Sequence, residues 1–354
     1  MEPVLKVCDI SKNFGNQQIL ESVSFEIQPG EIHGLVGENG AGKSTLLNIL
    51  FGKEVIQHTG GYSGDIFFNG EKVHIKKAGD AISLGIGMVH QEFALIPAFT
   101  ITENTKIGRE NVNPLLERIL GKNLSLIDDK RDQQETQEVL RQLGINVDVT
   151  LKVLDLSVSL KQFIELAREI SKEELKLLIL DEPTAALSKE DADLFLNFIK
   201  ELSQKGTAII LVSHRLEEIV SICSSVTVLR DGNVVSAYER KDFNIKNIAE
   251  SMVGYTVNSI RYCSRKVPKK VLVEFKHFAV NMPGEVIKDF NLKVYEGEIL
   301  GIAGLAGHGK LALGNGVMGM YPSEGDVCLD GYTLDTSQPA NILQRGIYIV
   351  PDER

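Results

Sequence analysis

The chain has 354 residues, a hydrophobic content of 43%, a charged content of 24% and a formal net charge of −10. This length exceeds what one hydrophobic core normally holds, so we expect two domains. The acidic balance argues against a surface that neutralises nucleic-acid phosphates, and no apolar run approaches the roughly 18 residues that span a bilayer. Cys8, Cys223, Cys263 and Cys328 lie far apart, which fits neither a metal site nor a disulfide framework, so we expect reduced, cytosolic thiols.

Alternating apolar and polar residues predict paired strands over residues 4–9 and 23–27, on either side of the turn-rich segment SKNFGNQQ. Phe14 falls in this predicted turn. An aromatic ring at this position either stacks on a nucleobase or caps the core of the hairpin itself.

The segment GENGAGKS fits the pattern G-x-x-x-x-G-K-[ST] of a phosphate-binding loop, and it lies between a predicted strand (32–36) and a predicted helix (45–51). Its glycines allow successive backbone N–H groups to point inward at the positive end of the helix. Lys43 would then reach the β- and γ-phosphates, and the Ser44 hydroxyl would bind Mg²⁺. The residues predicted to contact the nucleotide here are Gly37, Glu38, Asn39, Gly40, Ala41, Gly42, Lys43, Ser44 and Thr45.

A hairpin is predicted over residues 64–73, with Asn69-Gly70 at its turn, followed by a short helix (78–84). The next predicted strand, residues 86–89, leads to Gln91. This position lies at the sheet edge that usually faces ligand in α/β folds. The Gln91 amide either orients water and completes the coordination of a metal, or is merely solvated.

Residues from about 93 to 170 predict a helical subdomain inserted into the sheet. It includes a charged helix over residues 128–144 and an amphipathic helix that ends near residue 170. Ser157 or Ser159 would cap the start of the second helix. A helix start rich in N–H groups and hydroxyls is either a second phosphate site or an ordinary helix cap.

The apolar residues 177–180 predict a buried strand that ends at Asp181 and Glu182. Adjacent carboxylates at such a place are costly unless their charge is compensated, and magnesium would provide that compensation. Asp181 would hold the ion through water, and Glu182, directed to the other side of the strand, would polarise an attacking water. Surface acidity at a loop is the alternative.

Another predicted strand, residues 208–212, ends at Ser213 and His214. A neutral imidazole there would donate a hydrogen bond to a γ-phosphate or to the attacking water, whereas a lone histidine is usually structural. Gln91 and the Asp181-Glu182 pair also follow strands, in a chain with a phosphate-binding loop. Three such strand ends together favour one shared site.

A hairpin across Asp231-Gly232 and a helix over residues 245–253 complete a first domain, residues 1–254. Residues 255–270 are predicted to be a solvated linker, although their basic character is also found in nucleic-acid-binding segments. Residues 271–354 form the remainder of the chain.

This remainder repeats the first domain. Val271 lies 267 positions after Val4, and the segment GLAGHGKL from Gly304 lies 267 positions after Gly37. Lys310 keeps the phosphate-reaching amine, but Leu311 stands where Ser44 stands in the first copy.

The later segment GIYIVPDE aligns at an offset of 261 and places Asp352 at the position of Gln91. Both replacements are expected to weaken catalysis in the second copy. The sequence reaches Arg354 before any counterpart of Asp181-Glu182 or His214.

Taken in chain order, these residues resemble the ATP-binding cassette (ABC) family over essentially the whole chain. The resemblance implies that Phe14 stacks on adenine, that residues 37–44 are the Walker A loop and that Gln91 is the glutamine of the Q-loop. The implied fold is an α/β P-loop NTPase with a mixed core sheet, an antiparallel β subdomain and an inserted helical subdomain, followed by a partial second copy.

The same resemblance implies a signature motif at residues 156–160. It assigns Asp181 as the Walker B aspartate, Glu182 as the catalytic glutamate and His214 as the switch histidine. Two fused cassettes with a degraded second loop are similar to the simple-sugar and nucleoside importers of bacteria. HQEFALIPAFTITEN and LDEPTAALS are typical of that subgroup.

Two positions depart from the family pattern. Val158, Ser159 and Leu160 replace the usual Gly-Gly-Gln or x-Gly-Gln of the signature, and Ser188 replaces the aspartate of the D-loop. A Cβ at the second glycine position would hinder close approach to a γ-phosphate. The family forms composite sites, in which the Walker A loop of one cassette closes on the signature of another. In this scheme the atypical signature of residues 156–160 would face the weak loop GLAGHGKL of the second copy.

The resemblance implies an ATP-binding subunit that uses ATP and Mg²⁺ to drive uptake of a small polar solute, a sugar or a nucleoside. Its implied partners are membrane permease subunits, a solute-binding protein and a second cassette, but no nucleic acid, at the cytoplasmic face of the cell membrane. We further expect that this chain binds ATP well but hydrolyses it poorly unless two N-terminal halves pair. The alternatives are a ribosome-associated cassette ATPase and a regulatory nucleotide-binding module with little turnover.

Overall fold

The computed structural model of the chain describes residues 2–113, 125–172, 174–255, 270–304 and 308–350. The chain divides into two compact units, Met1–Asn258 and Ser259–Arg354. Most of the predicted linker, together with Cys263, Asp352 and Arg354, lies outside the described residues, as do residues 305–307 of the second glycine-rich loop.

The first unit combines an antiparallel sheet and a larger mixed sheet. The first sheet has the strand order β2-β1-β4-β5 and the second has the order β10-β9-β3-β8-β7-β6. The strands are β1 (Leu5–Phe14), β2 (Gln17–Ile27), β3 (Ile32–Val36), β4 (Ser63–Phe68), β5 (Glu71–Val73), β6 (Ile86–Val89), β7 (Leu177–Asp181), β8 (Ala208–Val212), β9 (Ser225–Arg230) and β10 (Asn233–Glu239).

Helices lie between these strands along the chain. The helices are α1 (Lys43–Phe51), α2 (Glu54–His58), α3 (Ala78–Ser83), α4 (Ile101–Lys106), α5 (Asp129–Gln142), α6 (Val158–Ile170), α7 (Lys189–Gln204), α8 (Leu216–Ile222) and α9 (Ile245–Val253), with 3-10 turns at Val153–Asp155 and Arg240–Asp242. None of the described helices is both long enough and apolar enough to cross a membrane. The predicted α/β fold with mixed and antiparallel sheets is confirmed.

The first hairpin extends further than its apolar pattern predicted. β1 and β2 pair as far as Phe14 and Gln17, so the turn consists of Gly15 and Asn16 alone. Phe14 is therefore the last residue of β1, and its predicted position within the turn is wrong. The pattern failed because Lys12, a polar residue, is buried within the strand.

The central strands β3, β6, β7 and β8 are buried along their whole length. They are parallel neighbours, in the order β3-β8-β7-β6. Alternate residues of β7 enter two different hydrophobic clusters, one on each face of the sheet. Burial on both faces explains why β6 and β8 are continuous apolar runs in the sequence and why their predicted bounds were close.

The inserted segment is helical, as predicted, but not throughout. Within its described residues, regular α-helix covers Ile101–Lys106, Asp129–Gln142 and Val158–Ile170, separated by irregular backbone. The rings of Phe163 and Phe195 lie 5.8 Å apart and attach α6 to α7 in the core.

The second unit has one described sheet, antiparallel, in the order β12-β11-β13-β14. Its elements are β11 (Val271–Met282), β12 (Glu285–Tyr295), α10 (Lys310–Val317), β13 (Ser323–Leu329), β14 (Tyr332–Thr333) and α11 (Pro339–Gln344). Residues 299–303 and 347–350 form no strand, although they align with β3 and β6 of the first unit. Ile299 is 99% exposed and Val350 is 94% exposed.

Candidate functional site

The loop between β3 and α1 brings backbone N–H groups together at the start of a helix. Gly42 is the N-cap of α1 and has a φ of 102°, in the left-handed region that favours glycine. A Cβ at Gly42 would lie 2.6 Å from Cδ2 of Leu20, and one at Gly37 would collide with the carbonyl oxygen of Leu229. The loop therefore needs glycine for its backbone shape and its close packing. It forms a concave nest suited to an anion.

Lys43, the first residue of α1, folds back over this loop. Its Nζ donates hydrogen bonds to the carbonyl oxygens of Gly37 (2.7 Å) and Glu38 (2.9 Å). Burial lowers the pKa of the Lys43 amine, and the carboxylates of Glu182 and Asp181 oppose this effect. A half-buried ammonium beside a nest of N–H groups is a second feature that attracts phosphate.

Two adjacent carboxylates lie at the end of β7, where Asp181 is the last residue of the strand and Glu182 follows it, and both line the same cleft. Glu182 has a φ of 50°, and its N–H donates to the carbonyl oxygen of Val212 (3.0 Å). Strand alternation predicted that Glu182 points to the opposite side from Asp181, and this expectation is wrong because the left-handed backbone turns Glu182 back. Burial, together with the charge of Glu182, raises the pKa of Asp181. A non-glycine residue at positive φ costs about 1 kcal/mol and is typical of functional sites.

The other two predicted strand ends meet at Glu182. Its Oε2 accepts a hydrogen bond from Nε2 of Gln91 (3.3 Å) and lies 3.4 Å from Nδ1 of His214. Glu182 is largely buried, with 17% of its side chain exposed, whereas 59% of the His214 side chain is exposed. The carboxylate is therefore held between an amide and an imidazole at the rim.

These residues line one cleft of about 830 Å³, which we call the strand-end cleft. Its walls are formed by Phe14, Ile19, Asn39, Gly40, Gly42, Lys43, Ser44, Thr45, Gln91, Asp181, Glu182 and His214. Gly37, Glu38 and Ala41 belong to the same loop but do not line the walls. The volume lies within the usual range for small-molecule sites.

Ser157 and Ser159 do not line the strand-end cleft. The Ser157 hydroxyl accepts a hydrogen bond from the N–H of Leu160 (3.3 Å) and caps α6, while Ser159 lies inside that helix. Within this chain, Ser157 thus acts as an ordinary helix cap.

The chemistry of the strand-end cleft fits a magnesium nucleotide. The N–H nest and Lys43 provide positive potential for phosphates, and the Phe14 ring offers an apolar surface for a base. Burial and the neighbouring charge of Glu182 raise the pKa of Asp181, so a cation would stabilise its ionised form, and hydroxyl, amide and carboxylate oxygens are the ligands that Mg²⁺ prefers. Ser44, Gln91 and Asp181 are the residues that would hold the ion.

Glu218 supports this site from outside its walls, although the sequence pattern does not indicate it. Its Oε2 accepts hydrogen bonds from Oγ1 of Thr184 (2.7 Å) and Oγ of Ser213 (3.0 Å), and its Oε1 accepts one from Arg215 (3.2 Å). Thr184 lies two residues after Glu182, and Ser213 immediately precedes His214. Glu218 therefore joins the two loops that carry these side chains. Ile19, which lines the cleft, was also not predicted.

Comparison with known proteins identifies the family. Residues 20–185 match the model of the family described as ABC transporter. The chain is 34% identical to the xylose import ATP-binding protein XylG of Thermoanaerobacter pseudethanolicus, over 100% of this chain and 68% of that protein. It is also 35% identical to the ribose import ATP-binding protein RbsA of Bacillus licheniformis, over 99% of this chain and 68% of the relative. The chain belongs to the ABC transporter family.

The fold of this ABC protein agrees with that assignment. A crystal structure of a nucleotide-free ATP-binding cassette from an ABC transporter covers 73% of this chain and 100% of its own, with a TM-score of 0.60 and 23% sequence identity. The curated relatives show that the chain spans about two thirds of their length.

Substitution of Asp181 by asparagine is expected to stabilise this cassette near neutral pH. Folding raises the pKa of Asp181 above its ordinary value of 3.8. The protonated carboxyl is therefore best tolerated in the folded state below pH 3.8, and the free energy of unfolding decreases as the pH rises through the folded pKa. The gain from Asp181→Asn should shrink as the pH falls toward 3.8. Urea unfolding at several pH values measures it, with the exposed Asp193→Asn as control. A variant that is less stable than the native chain near neutral pH would contradict this assignment.

Substitution of Glu218 by glutamine is expected to slow ATP hydrolysis without weakening ATP binding. The amide cannot accept from both hydroxyls with the strength of a carboxylate, and a charged hydrogen bond contributes about 1.5 kcal/mol, so kcat should fall about tenfold. Phosphate release at saturating Mg-ATP gives kcat, and titration gives the ATP affinity. Glu217→Gln, an exposed change in the same helical turn, is the control. An unchanged kcat would show that Glu218 does not position the two loops.

Proposed function

We propose that this ABC protein is the ATP-binding subunit of an importer and that it couples ATP hydrolysis to uptake of a small sugar through a separate membrane permease. The observation that carries the proposal is the convergence of Lys43, Asp181, Glu182, Gln91 and His214 on the strand-end cleft. The relatives support the solute class, since their names specify import of xylose and of ribose, both pentoses. A solute-binding protein and a peripheral position at the cytoplasmic face of the membrane belong to the same proposal.

Different residues of the cleft would bind different parts of the magnesium nucleotide. Lys43 and the loop N–H groups would bind the phosphates, and Phe14 would stack on the adenine. Mg²⁺ held by Ser44, Gln91 and Asp181 would neutralise phosphate charge.

Two side chains remain for the reaction itself. The Glu182 carboxylate, which accepts a hydrogen bond from Gln91 and lies close to His214, would orient a water and accept its proton. His214, half exposed at the rim, would donate a hydrogen bond to the terminal phosphate.

We also propose that residues 271–354 are the N-terminal part of a second, degenerate cassette. The same succession supports this: an antiparallel pair, a glycine-capped helix, a hairpin and a short helix occur in both units. Gly309 caps α10 with a φ of 90°, and a Cβ there would lie 2.6 Å from Cγ1 of Ile287, the residue 267 positions after Leu20. Asp330, at the turn between β13 and β14, has a φ of 50°, close to the 49° of Asn69 at the turn between β4 and β5.

The start of α10 differs from that of α1 in a way that disfavours phosphate. The Glu285 carboxylate, 8% exposed, accepts hydrogen bonds from the N–H groups of Leu311 (2.8 Å) and Ala312 (3.4 Å). These groups correspond to Ser44 and Thr45. A carboxylate at this position would repel a phosphate, which supports a weak or absent nucleotide site in the second unit.

Pairing of cassettes would complete the site. Ser157 is exposed at the start of α6 and lies outside the strand-end cleft of its own chain, so its proposed contact with a phosphate requires a second cassette. The side chains of Val158 and Ser159 at the usual glycine positions favour a second candidate function, a regulatory nucleotide-binding module with little turnover. Measurement of turnover separates the two.

Replacement of Glu182 by glutamine tests the proposed function. The isosteric amide cannot accept a proton, so ATP turnover should fall about 10²- to 10⁴-fold while ATP binding is retained. Phosphate release and nucleotide titration on the full chain measure the two effects, and Glu190→Gln, on the first turn of α7, is the control. Turnover that survives in Glu182→Gln would overturn the assignment. A native chain that binds ATP but releases no phosphate, even at concentrations that favour pairing, would support the regulatory module.

A further inference from the structure

Lys12 is a buried cation beside the strand-end cleft. Its side chain is among the largest fully buried ones, with the residue only 2% exposed. Its Nζ donates to the carbonyl oxygens of Ile56 (3.2 Å), Thr59 (3.0 Å) and Gly61 (2.6 Å) and to Oγ1 of Thr59 (2.9 Å). Burial lowers the pKa of this amine. Its acceptors are carbonyl and hydroxyl oxygens, and several such acceptors around one nitrogen suit a protonated amine, which has three N–H donors. An ammonium kept in this place at a desolvation cost calls for a function.

The same ammonium lies against the aromatic ring at the end of β1. Nζ of Lys12 is 4.7 Å from the centroid of the Phe14 ring, within the range of a cation–π contact. Phe14 lines the strand-end cleft, whereas Lys12 lines a different cavity together with Thr59 and Gly61. The ring therefore stands between the buried charge and the space where a base would lie.

This arrangement has two physical effects on Phe14. The hydrogen bonds of Lys12 attach the end of β1 to the segment that follows α2, which limits movement of the ring. The positive charge on one face also withdraws electron density from the ring, which favours stacking of an electron-rich purine on the other face.

We propose that Lys12 is a specificity-determining residue that positions and polarises Phe14 for a purine base, so that the cleft prefers a nucleotide to a bare polyphosphate. The proposal rests on the proposed nucleotide site. It predicts that loss of Lys12 weakens binding of the base and leaves binding of the phosphates unchanged, because Lys12 lies outside the loop that binds phosphates.

The test compares Mg-ATP with magnesium tripolyphosphate on the full chain by titration calorimetry. In Lys12→Met the affinity for ATP should fall about tenfold, the scale of one stacking or cation–π contact, while tripolyphosphate affinity is unchanged. Lys6→Met, an exposed lysine on the same strand, is the matched control and should change neither affinity.

A double-mutant cycle separates positioning of the ring from general damage. In a Phe14→Leu background there is no ring to polarise, so Lys12→Met should have no further effect on ATP affinity. If Lys12→Met does not fold, Thr59→Val replaces it, since it removes one acceptor of Lys12 and should lower the ratio of ATP to tripolyphosphate affinity in the same direction.

The outcomes are distinct from those that test the nucleotide site itself. A native chain that binds neither ligand would refute the proposed function. A native chain that binds both, with an affinity ratio unchanged in Lys12→Met or in its replacement Thr59→Val, would overturn the role of Lys12. An equal loss of both affinities, or an undiminished effect in the Phe14→Leu background, would overturn it as well.

Discussion

The parallel pairing of β3, β8, β7 and β6 is the constraint on which the strand-end cleft depends. Parallel neighbours end at the same edge of a sheet. The loop after β3 and the polar residues at the ends of β6, β7 and β8 are therefore brought together by the pairing of the strands alone. Burial of the strands on both faces fixes their register, since a slip by one residue would exchange the two hydrophobic clusters. The sheet thus fixes the positions of the strand ends, and the loops that follow them carry the polar side chains of the cleft.

The cleft is assembled at a cost to the stability of the protein. Two carboxylates are adjacent, one of them has a raised pKa, and Glu182 adopts a left-handed backbone. Lys12 adds a buried ammonium whose partners are neutral oxygens. Such features persist where the surrounding structure holds them and where a ligand relieves them. Charge repulsion in the cleft and its proposed affinity for a magnesium nucleotide would have the same physical origin.

The sequence predicted the parts of the fold that local pattern controls. The strands over residues 86–89 and 208–212 have the expected bounds. A strand buried on both faces is an apolar run, and the polar residues that follow it mark its end. Contacts between distant segments defeated the same reasoning. Lys12 is a lysine that points inward, so the apolar pattern ended β1 too early. The left-handed φ of Glu182 and the bridging contacts of Glu218 depend on β8 and α8, which no local pattern encodes.

The two glycine-rich loops of the chain offer a direct test of the central claim, that one magnesium nucleotide binds at the edge of the mixed sheet. Lys43 and Lys310 occupy matching positions at the starts of α1 and α10. Calorimetric titration of Mg-ATP into Lys43→Ala and Lys310→Ala separates them. Affinity should fall about 10- to 100-fold in Lys43→Ala, as expected for loss of a charged hydrogen bond to phosphate, and should be unchanged in Lys310→Ala. Full affinity in Lys43→Ala would contradict it.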